Sequence, residues 1–489
     1  MFMLFIVLAY EAVNILFYRQ NEQKDTRISV YGFIIVISCF LQAMFGVVQF
    51  FGFFQISTTL WVTGSFDNPA GFAACLCAGF PFVGFLLSDS NKYIRYVGGL
   101  IGFVIVIAVI LSQSRAGIMS IAFICFILLN MKFFHKRWVK YLSLLCFALL
   151  LSGCYWMKKD SADGRLLIWR CSVSMVKDAP WLGHGIGSFE ARYMDYQADY
   201  FRQYGLNRYS MLADNVKHPF NEYLGVLINF GIVGLALLLG IVGALVYCYR
   251  QNPTQEKKIA LYALLSIGVF SFFSYPFTYP FTWMVTSLAV LMLTADYLKR
   301  IKIGTWGRNI MYSAVLMGFF LGQVRLGART QSERSWQEAS VLALCHSYDE
   351  ALPYYVSLKH RFEDNPYFLY NYAAVFTEAK VYEKALKVAL ECRKYWADYD
   401  LELLLGDIYR EKKDYKQAEE YYMSASYMCP SRFLPLYQLY ELYKCIGNTE
   451  KASELAKILL EKPAKVNSAL IKRIRYMVKK DGLINSVRR

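Results

Sequence analysis

Arginine and histidine side chains stand at the ends of several apolar segments in the first half of the chain. Arg115 lies in LSQSRAGIMS, Arg165 and Arg170 bound the run DGRLLIWR, and His218 lies in VKHPFNEY. Arginine binds phosphate oxygens with a two-pronged fork and stays charged, whereas histidine transfers protons near neutral pH. These residue types suit the handling of a diphosphate: arginines stabilise the departing group, and a histidine removes a proton from an incoming hydroxyl.

Further polar residues of the same segments are candidates for binding a substrate. Asn68 lies in TGSFDNPAGFAA, His184 lies in DAPWLGHGIGSFEARY, and Asn221 and Glu222 follow His218. Non-helical backbone at membrane depth must be shielded by protein or line a wet cavity. The Asn68 segment is therefore predicted to form a cavity wall, with a plain surface turn as the alternative.

Each candidate also has an ordinary structural explanation. Arg115 could extend to the membrane interface, as arginines near helix ends do, and His218 could cap the helix that follows it. The glycine-rich turn around His184 is weak evidence for a phosphate site. Three carboxylates of the same region are expected to be solvated: Asp160, Asp163 and Asp214. No metal-ligand spacing is seen, so neither a metal nor a cofactor is expected.

Long apolar runs position these residues. A membrane-spanning helix requires about 20 apolar residues, and the sequence predicts about ten spans, at 1–18, 30–54, 70–88, 94–112, 116–133, 139–157, 220–248, 258–274, 278–298 and 308–328. Lysines and arginines occur in every second connection, which places those connections in the cytoplasm. The long loop 158–219 and everything after about residue 328 are therefore expected to face outward.

The C-terminal third carries an internal repeat. The motif Tyr-x-x-Ala recurs, with a threonine at the last copy, and places alanines at four regularly spaced positions: Ala351, Ala385, Ala418 and Ala452. A period near 34 with small residues at helix crossings is typical of tetratricopeptide repeats; an unrelated bundle of helical hairpins is the alternative. Such arrays bind peptides or proteins.

Composition narrows the class of protein. Hydrophobic residues make up 56% of the 489 residues and the net charge is +16. Because much of this charge flanks apolar runs, it is assigned to membrane topology and no nucleic-acid partner is expected. A disulfide remains open among the four C-terminal-domain cysteines: Cys345, Cys392, Cys429 and Cys445.

The predicted fold class is all-α, a polytopic membrane helix bundle of about ten spans followed by an α-helical tetratricopeptide solenoid. The expected domains are a transmembrane domain over 1–330 that contains the large loop 158–219, a repeat domain over 331–482, and a basic tail over 483–489.

Five motifs in order resemble the O-antigen ligase/polymerase superfamily of bacterial membrane proteins: TGSFDNPAG, SQSRAG, DGRLLIWR, DAPWLGHGIGSF and HPFNEYLGVLINFGIVGL. The resemblance runs from Gln49 to Tyr297. It implies a metal-independent transferase that moves a glycan from undecaprenyl diphosphate to an acceptor hydroxyl with inversion. It also implies a bacterial inner membrane, with the loop and the repeats in the periplasm.

The resemblance also implies roles for individual residues. Arg115 matches the arginine of a Ser-Arg-Gly-like motif, Arg165 the arginine that begins the loop helix, and His218 the first histidine of a His-x-His-Asn-like motif. These three are the expected catalytic residues. The chain departs from the pattern at Phe220, which stands where the second histidine would be, and at Ala116.

Four functions remain open from the sequence. The first is ligation of a lipid-linked polysaccharide to lipid A-core, and the second is polymerisation of glycan repeat units on the same carrier. The third is oligosaccharide transfer to protein, for which the repeats would recruit the acceptor. The fourth belongs to another class, a non-catalytic membrane scaffold or transporter whose repeats bind partners. Membrane lipid is an expected partner in every case.

Overall fold

The computed structural model describes residues 24–53, 62–132, 137–157, 159–300 and 304–481. The predicted span at 1–18 lies outside these residues, as does the basic tail at 483–489. Regular structure in the described ranges is helical. The helices before the repeats are α1 Lys24–Phe50, α2 Pro69–Gly79, α3 Val83–Leu87, α4 Lys92–Leu111, α5 Arg115–Lys132, α6 Arg137–Met157, α7 Lys159–Asp178, α8 Ser188–Tyr204, α9 Glu222–Gln251, α10 Gln255–Ser271, α11 Pro280–Arg300 and α12 Thr305–Leu344.

The C-terminal part continues with eight shorter helices: α13 Tyr348–Leu358, α14 Pro366–Glu378, α15 Tyr382–Arg393, α16 Tyr399–Glu411, α17 Tyr415–Met428, α18 Leu434–Cys445, α19 Thr449–Glu461 and α20 Ala469–Lys480. The chain separates into two compact units. The first contains residues 1–158, 220–223 and 235–325, and the second contains 159–219, 224–234 and 326–489.

Six helices among the described residues are long and apolar enough to cross a membrane, which makes this a multi-pass membrane protein. They are Val30–Phe50, Pro69–Leu87, Lys92–Leu111, Glu222–Gln251, Pro280–Leu298 and Asn309–Leu344. The other predicted spans within the described residues coincide with α5, α6 and α10, which are helical but are not among the six.

The core of the first unit surrounds α2. Every residue of this helix from Gly71 to Gly79 is buried, and α2 contacts α1, α5, α10 and α11. Small residues permit this packing, because a side chain at Gly79 would collide with the sulfur of Cys39 in α1. A helix with apolar residues on all sides is the pattern expected for burial among other membrane helices.

The second unit contains the long loop together with the repeats. The sequence predicts that loop 158–219 is part of a domain over 1–330, whereas in the structure residues 159–219 belong to the same compact unit as 326–489. The loop supplies two helices, α7 and α8, which contact each other. α7 is amphipathic, with a buried face at Leu167, Ile168, Cys171, Ser172 and Met175.

The repeats are marked by a recurring turn. Within each helical pair the turn contains one residue with positive φ: His346 (60°), Lys380 (60°), Lys413 (65°) and Gly447 (74°). These positions are 34, 33 and 34 residues apart, which is also the spacing of Ala351, Ala385, Ala418 and Ala452 in the sequence. In each turn the next N–H bonds back to a carbonyl five residues earlier, as in Ser347 N to Leu342 O at 3.0 Å. This left-handed cap ends the first helix of each pair.

The repeat alanines lie where the sequence predicts small residues. Ala351, Ala385, Ala418 and Ala452 are all 0% exposed, so each allows close approach of neighbouring helices. The all-α fold class, a membrane helix bundle with C-terminal tetratricopeptide-type helical repeats, is confirmed. The cysteines considered for a disulfide, Cys345, Cys392, Cys429 and Cys445, are free thiols in the structure.

Candidate active site

The segment 62–68 is pinned to α1 by two glutamines. Gln49 is buried, and its Oε1 accepts hydrogen bonds from the backbone N–H groups of Thr63 and Gly64, each at 2.9 Å. Gln42 Nε2 donates to Ser65 Oγ at 2.8 Å. Gly64 has φ 57° and its Cβ position is occupied by the ring of Phe72, so a larger residue there would displace the segment. These contacts fix the backbone of the segment relative to α1.

Asn68 joins this segment to the connection before α11. Its Oδ1 accepts from Gly71 N at 2.9 Å and so caps α2. Its Nδ2 lies 2.8 Å from the hydroxyl of Tyr279, which lies 3.0 Å from Asn68 Oδ1. The Tyr279 ring packs edge-on against Phe66 with centroids 5.8 Å apart. Asn68 therefore has a structural role in addition to any role toward a substrate.

Glu222 meets the same connection. Its Oε1 accepts from Phe277 N at 3.2 Å. The ring of Phe220 packs against Tyr275 with centroids 5.2 Å apart, and Tyr275 stacks on Tyr279 at 6.2 Å. The structure thus brings the Asn68 segment and the Phe220–Glu222 segment, which carries Asn221, to one short stretch of chain.

Arg115 is the first residue of α5 and its side chain is only 8% exposed. The turn before it is sharp: Gln113 has φ 52°, and Ser114 N bonds to Ser112 Oγ at 3.3 Å. Two residues later Gly117 lets α5 approach α2, since a side chain there would press on Ala73. An arginine remains charged when buried. Arg115 is therefore a charged guanidinium that is buried within the protein.

In the second unit, α7 places Arg165 one turn before Trp169, on the same helix face. Trp169 Nε1 donates to Pro219 O at 3.0 Å. The structure therefore brings the Arg165 face of α7 to the segment that carries His218. Arg170 is exposed on another face and covers the ring of Tyr209 at 5.3 Å.

His184 is held by both ring nitrogens. Its Nε2 lies 2.8 Å from Met175 O, and its Nδ1 lies 3.2 Å from Arg192 Nη1. Because a carbonyl only accepts and a guanidinium only donates, these partners assign a neutral ring protonated on Nε2. His184 is therefore held in a fixed orientation that suits a structural role.

The glycine-rich turn around His184 docks on backbone of α9. His184 N donates to Ile228 O at 2.8 Å, and Gly185 N to Asn229 O at 3.0 Å. α9 has non-helical backbone at Gly231 (φ 63°, ψ −162°), and a side chain there would collide with the Trp181 carbonyl. Glycine at this position is thus required by the close approach of two backbones.

His218 is half-buried at the end of the loop. Burial lowers its pKa, because charging the imidazole there costs solvation; the charge of Glu190 acts in the opposite direction, and that of Lys217 reinforces the lowering. The net lowered pKa keeps the imidazole neutral at neutral pH. A neutral imidazole is the form that can accept a proton.

Asp214, which the sequence predicts to be solvated, has a side chain that is 44% exposed and also pairs with Arg432, whose Nη2 lies 2.7 Å from its Oδ1. The partner comes from the repeats, more than two hundred residues further along the chain, so spacing within the loop could not reveal it. Among the residues that the structure describes, no cluster of three or more His, Cys, Asp or Glu side chains is arranged to hold a metal.

Sequence reasoning missed the aromatic residues of the connection at 275–279. Tyr275 and Tyr279 contact both site segments of the first unit. The run YPFTYP was available as a signal, because two prolines with intervening aromatics interrupt an otherwise apolar stretch.

Comparison with known proteins finds a family model that matches part of the chain. Residues 100–239 match the family model described as O-antigen ligase, and no curated protein matches the chain. The chain is similar to the crystal structure of yeast Tom70 at a TM-score of 0.29 and 11% identity, covering 86% of this chain and 90% of that one. The matched range contains Arg115, Arg165 and His218. Residues 100–239 of this multi-pass membrane protein, 140 of its 489 residues, are therefore similar to the O-antigen ligase family.

Proposed function

We propose that this protein transfers a glycan from undecaprenyl diphosphate to an acceptor hydroxyl, with lipid A-core as the acceptor. A ligase- or polymerase-type glycan-transfer role follows from the O-antigen ligase match over residues 100–239. Three residues in this range support the more specific proposal. Arg115 is buried, Arg165 lies on helix α7, and the burial of His218 favours its neutral form.

In the proposed reaction, the acceptor oxygen forms a bond to the anomeric carbon of the glycan while the bond from that carbon to the diphosphate oxygen breaks. The proton of the acceptor hydroxyl passes to His218, as general base. The diphosphate leaves with the bonding electrons. Arg115 and Arg165 are proposed to stabilise its charge, which arginine does without a metal ion.

Binding roles are proposed for the remaining candidates. Asn68, Asn221 and Glu222 would contact the glycan or its carrier in the first unit, and Arg170 and His184 would do so in the second. Since Asn68 and His184 also hold local structure, their replacement is expected to affect folding together with binding.

The location is part of the proposal. We place the protein in a bacterial inner membrane, with loop 158–219 and the repeats in the periplasm, because lysines and arginines concentrate in the alternate connections. This is also the side on which the arginines and His218 would meet the carrier lipid.

The glycans of a strain that lacks the protein test this function. Loss of long chains from lipopolysaccharide, with lipid-linked polymer accumulating, is expected for a ligase. Lipopolysaccharide capped with single units would instead identify a polymerase, and loss of glycoproteins with normal lipopolysaccharide would identify a protein transferase. If lipopolysaccharide, lipid-linked polymer and glycoproteins were all unchanged, the result would contradict glycan transfer and favour a scaffold.

A further inference from the structure

The repeats contact the long loop through the edge where one helical pair is connected to the next. At the connection after α15, Asp398 Oδ2 accepts from Asn215 Nδ2 at 2.7 Å. At the connection after α17, Arg432 forms an ion pair with Asp214. The loop therefore contacts two successive repeats at equivalent positions, and the contact does not depend on one helix alone.

A buried amide makes the contact specific. Gln197 of α8 is 0% exposed. Its Nε2 donates to Met428 O of the repeats at 2.6 Å and to Asp214 O of the loop at 3.1 Å, while its Oε1 accepts from the Tyr193 hydroxyl at 2.8 Å. A buried amide left without these partners would be costly. The loop conformation thus depends on the repeats.

Tyr367, at the start of α14, touches two charged loop residues at once. Its hydroxyl donates to Glu190 Oε1 at 2.6 Å. Its ring faces the Lys217 ammonium at 4.4 Å from the centroid, a cation–π distance. The backbone of Glu190 is fixed as well, because Ala397 N donates to its carbonyl at 3.1 Å.

Both of those charges act on the pKa of His218. Glu190 stabilises the charged imidazolium and Lys217, its neighbour in the chain, opposes it. A change in the position of either charge therefore changes the pH at which His218 accepts a proton.

We propose that the helical repeats act in cis on the reaction site, with Tyr367 as a positioning residue that holds Glu190 and Lys217 beside His218. The proposal rests on the proposed role of His218 as the base. The sequence suggests that the repeats recruit another molecule. In the structure, the edge at which one helical pair is connected to the next binds the loop of the same chain.

Histidine titration followed by NMR tests this directly, in the full-length protein with labelled histidines in lipid nanodiscs. The chain has five histidines, so a His218→Asn variant identifies the His218 signal. Glu190→Gln removes a negative charge and is expected to move the His218 midpoint to lower pH. Lys217→Met removes a positive charge and is expected to move it to higher pH.

The same two substitutions are then made in Tyr367 variants. With Tyr367→Leu, both shifts are expected to shrink, because neither charge is held any longer. With Tyr367→Phe, the Glu190→Gln shift shrinks and the Lys217→Met shift stays, since the ring remains and the hydroxyl is lost. This second variant decides the question if Tyr367→Leu fails to fold. Tyr370→Phe serves as the matched control, because it removes a hydroxyl from the same helix on a ring that packs against Trp396 as the Tyr367 ring does.

Equal shifts in all Tyr367 backgrounds would overturn the proposal. Failure of the proposed function is a separate result. If His218→Asn retains glycan transfer while the shifts behave as expected, the base assignment is wrong and the positioning by Tyr367 stands.

Discussion

Asn68 and Tyr279 lie 211 residues apart in the chain and are joined by their side chains, Asn68 Nδ2 to the Tyr279 hydroxyl at 2.8 Å and that hydroxyl to Asn68 Oδ1 at 3.0 Å. The same amide caps α2, whose residues form the centre of the core of the first unit. One side chain therefore couples the segment 62–68, the central helix and the connection before α11.

This pairing predicts an order of stability among three variants. Asn68→Ala loses both the hydrogen bond that caps α2 and the hydrogen bonds to the Tyr279 hydroxyl. It is expected to destabilise the protein by about 1–3 kcal/mol. Tyr279→Phe loses the hydrogen bonds between the two side chains but keeps the cap of α2, so it should cost less. Asn68→Asp is the matched control, because a carboxylate still accepts from both Gly71 and Tyr279. Thermal unfolding in detergent measures the order; equal midpoints for all three would contradict it.

The non-helical backbone at Gly231 in α9 predicts that alanine is tolerated poorly at this position and well elsewhere in the helix. Gly231→Ala introduces a Cβ against the Trp181 carbonyl at φ 63° and ψ −162°, a backbone conformation that costs a residue other than glycine about 1–3 kcal/mol by itself. The glycine-rich turn is expected to detach and become sensitive to protease. Gly240→Ala in the same helix meets open space and should leave cleavage unchanged. The same cleavage pattern in both variants would show that the turn does not depend on Gly231.

Two ion pairs between loop and repeats should differ strongly in strength. Arg393 bridges Asp195 and Glu402, and the Glu402 side chain is only 3% exposed; burial raises the pKa of Glu402, and the charge of Arg393 opposes that rise. Arg393→Ala leaves a buried carboxylate without its partner and is expected to cost about 3 kcal/mol. Arg432→Ala removes an exposed pair with Asp214 and should cost about 1 kcal/mol or less. Melting midpoints of the two variants check this, and a larger loss for Arg432→Ala would refute it.

The recurring turn of the repeats predicts a stabilising change. Lys413 has φ 65° where the next repeat has Gly447, and a lysine in this conformation carries a strain of about 1 kcal/mol. Lys413→Gly should therefore raise the melting temperature, whereas Gly447→Ala should lower it. Lys416→Gly, inside α17, is the control and should destabilise by about 1 kcal/mol. A decrease with Lys413→Gly would show that the turn is not strained.

Local patterns in the sequence are enough to predict the helices. Apolar runs indicate the membrane segments, and the period of Ala351, Ala385 and Ala418 indicates the repeats, because both signals recur within a few tens of residues. Contacts such as Tyr367 with Glu190, 177 residues apart, leave no such pattern in one sequence. The packing of the loop on the repeats could therefore not be predicted, although the chemistry-bearing residues of the loop could be named.

Glycan transfer by the purified full-length protein in proteoliposomes tests the central claim most directly. The substrates are a glycan on undecaprenyl diphosphate and lipid A-core, and the measured quantity is the rate at which glycan leaves the carrier and joins the acceptor. His218→Ala is expected to lower this rate by about 10²–10⁴-fold, and Arg115→Ala and Arg165→Ala by about 10²–10³-fold each. His346→Asn, a substitution in a repeat turn where asparagine suits the positive φ, should transfer at the wild-type rate. Transfer at the wild-type rate by His218→Ala, or no transfer by the wild-type protein with this donor and acceptor, would contradict the account.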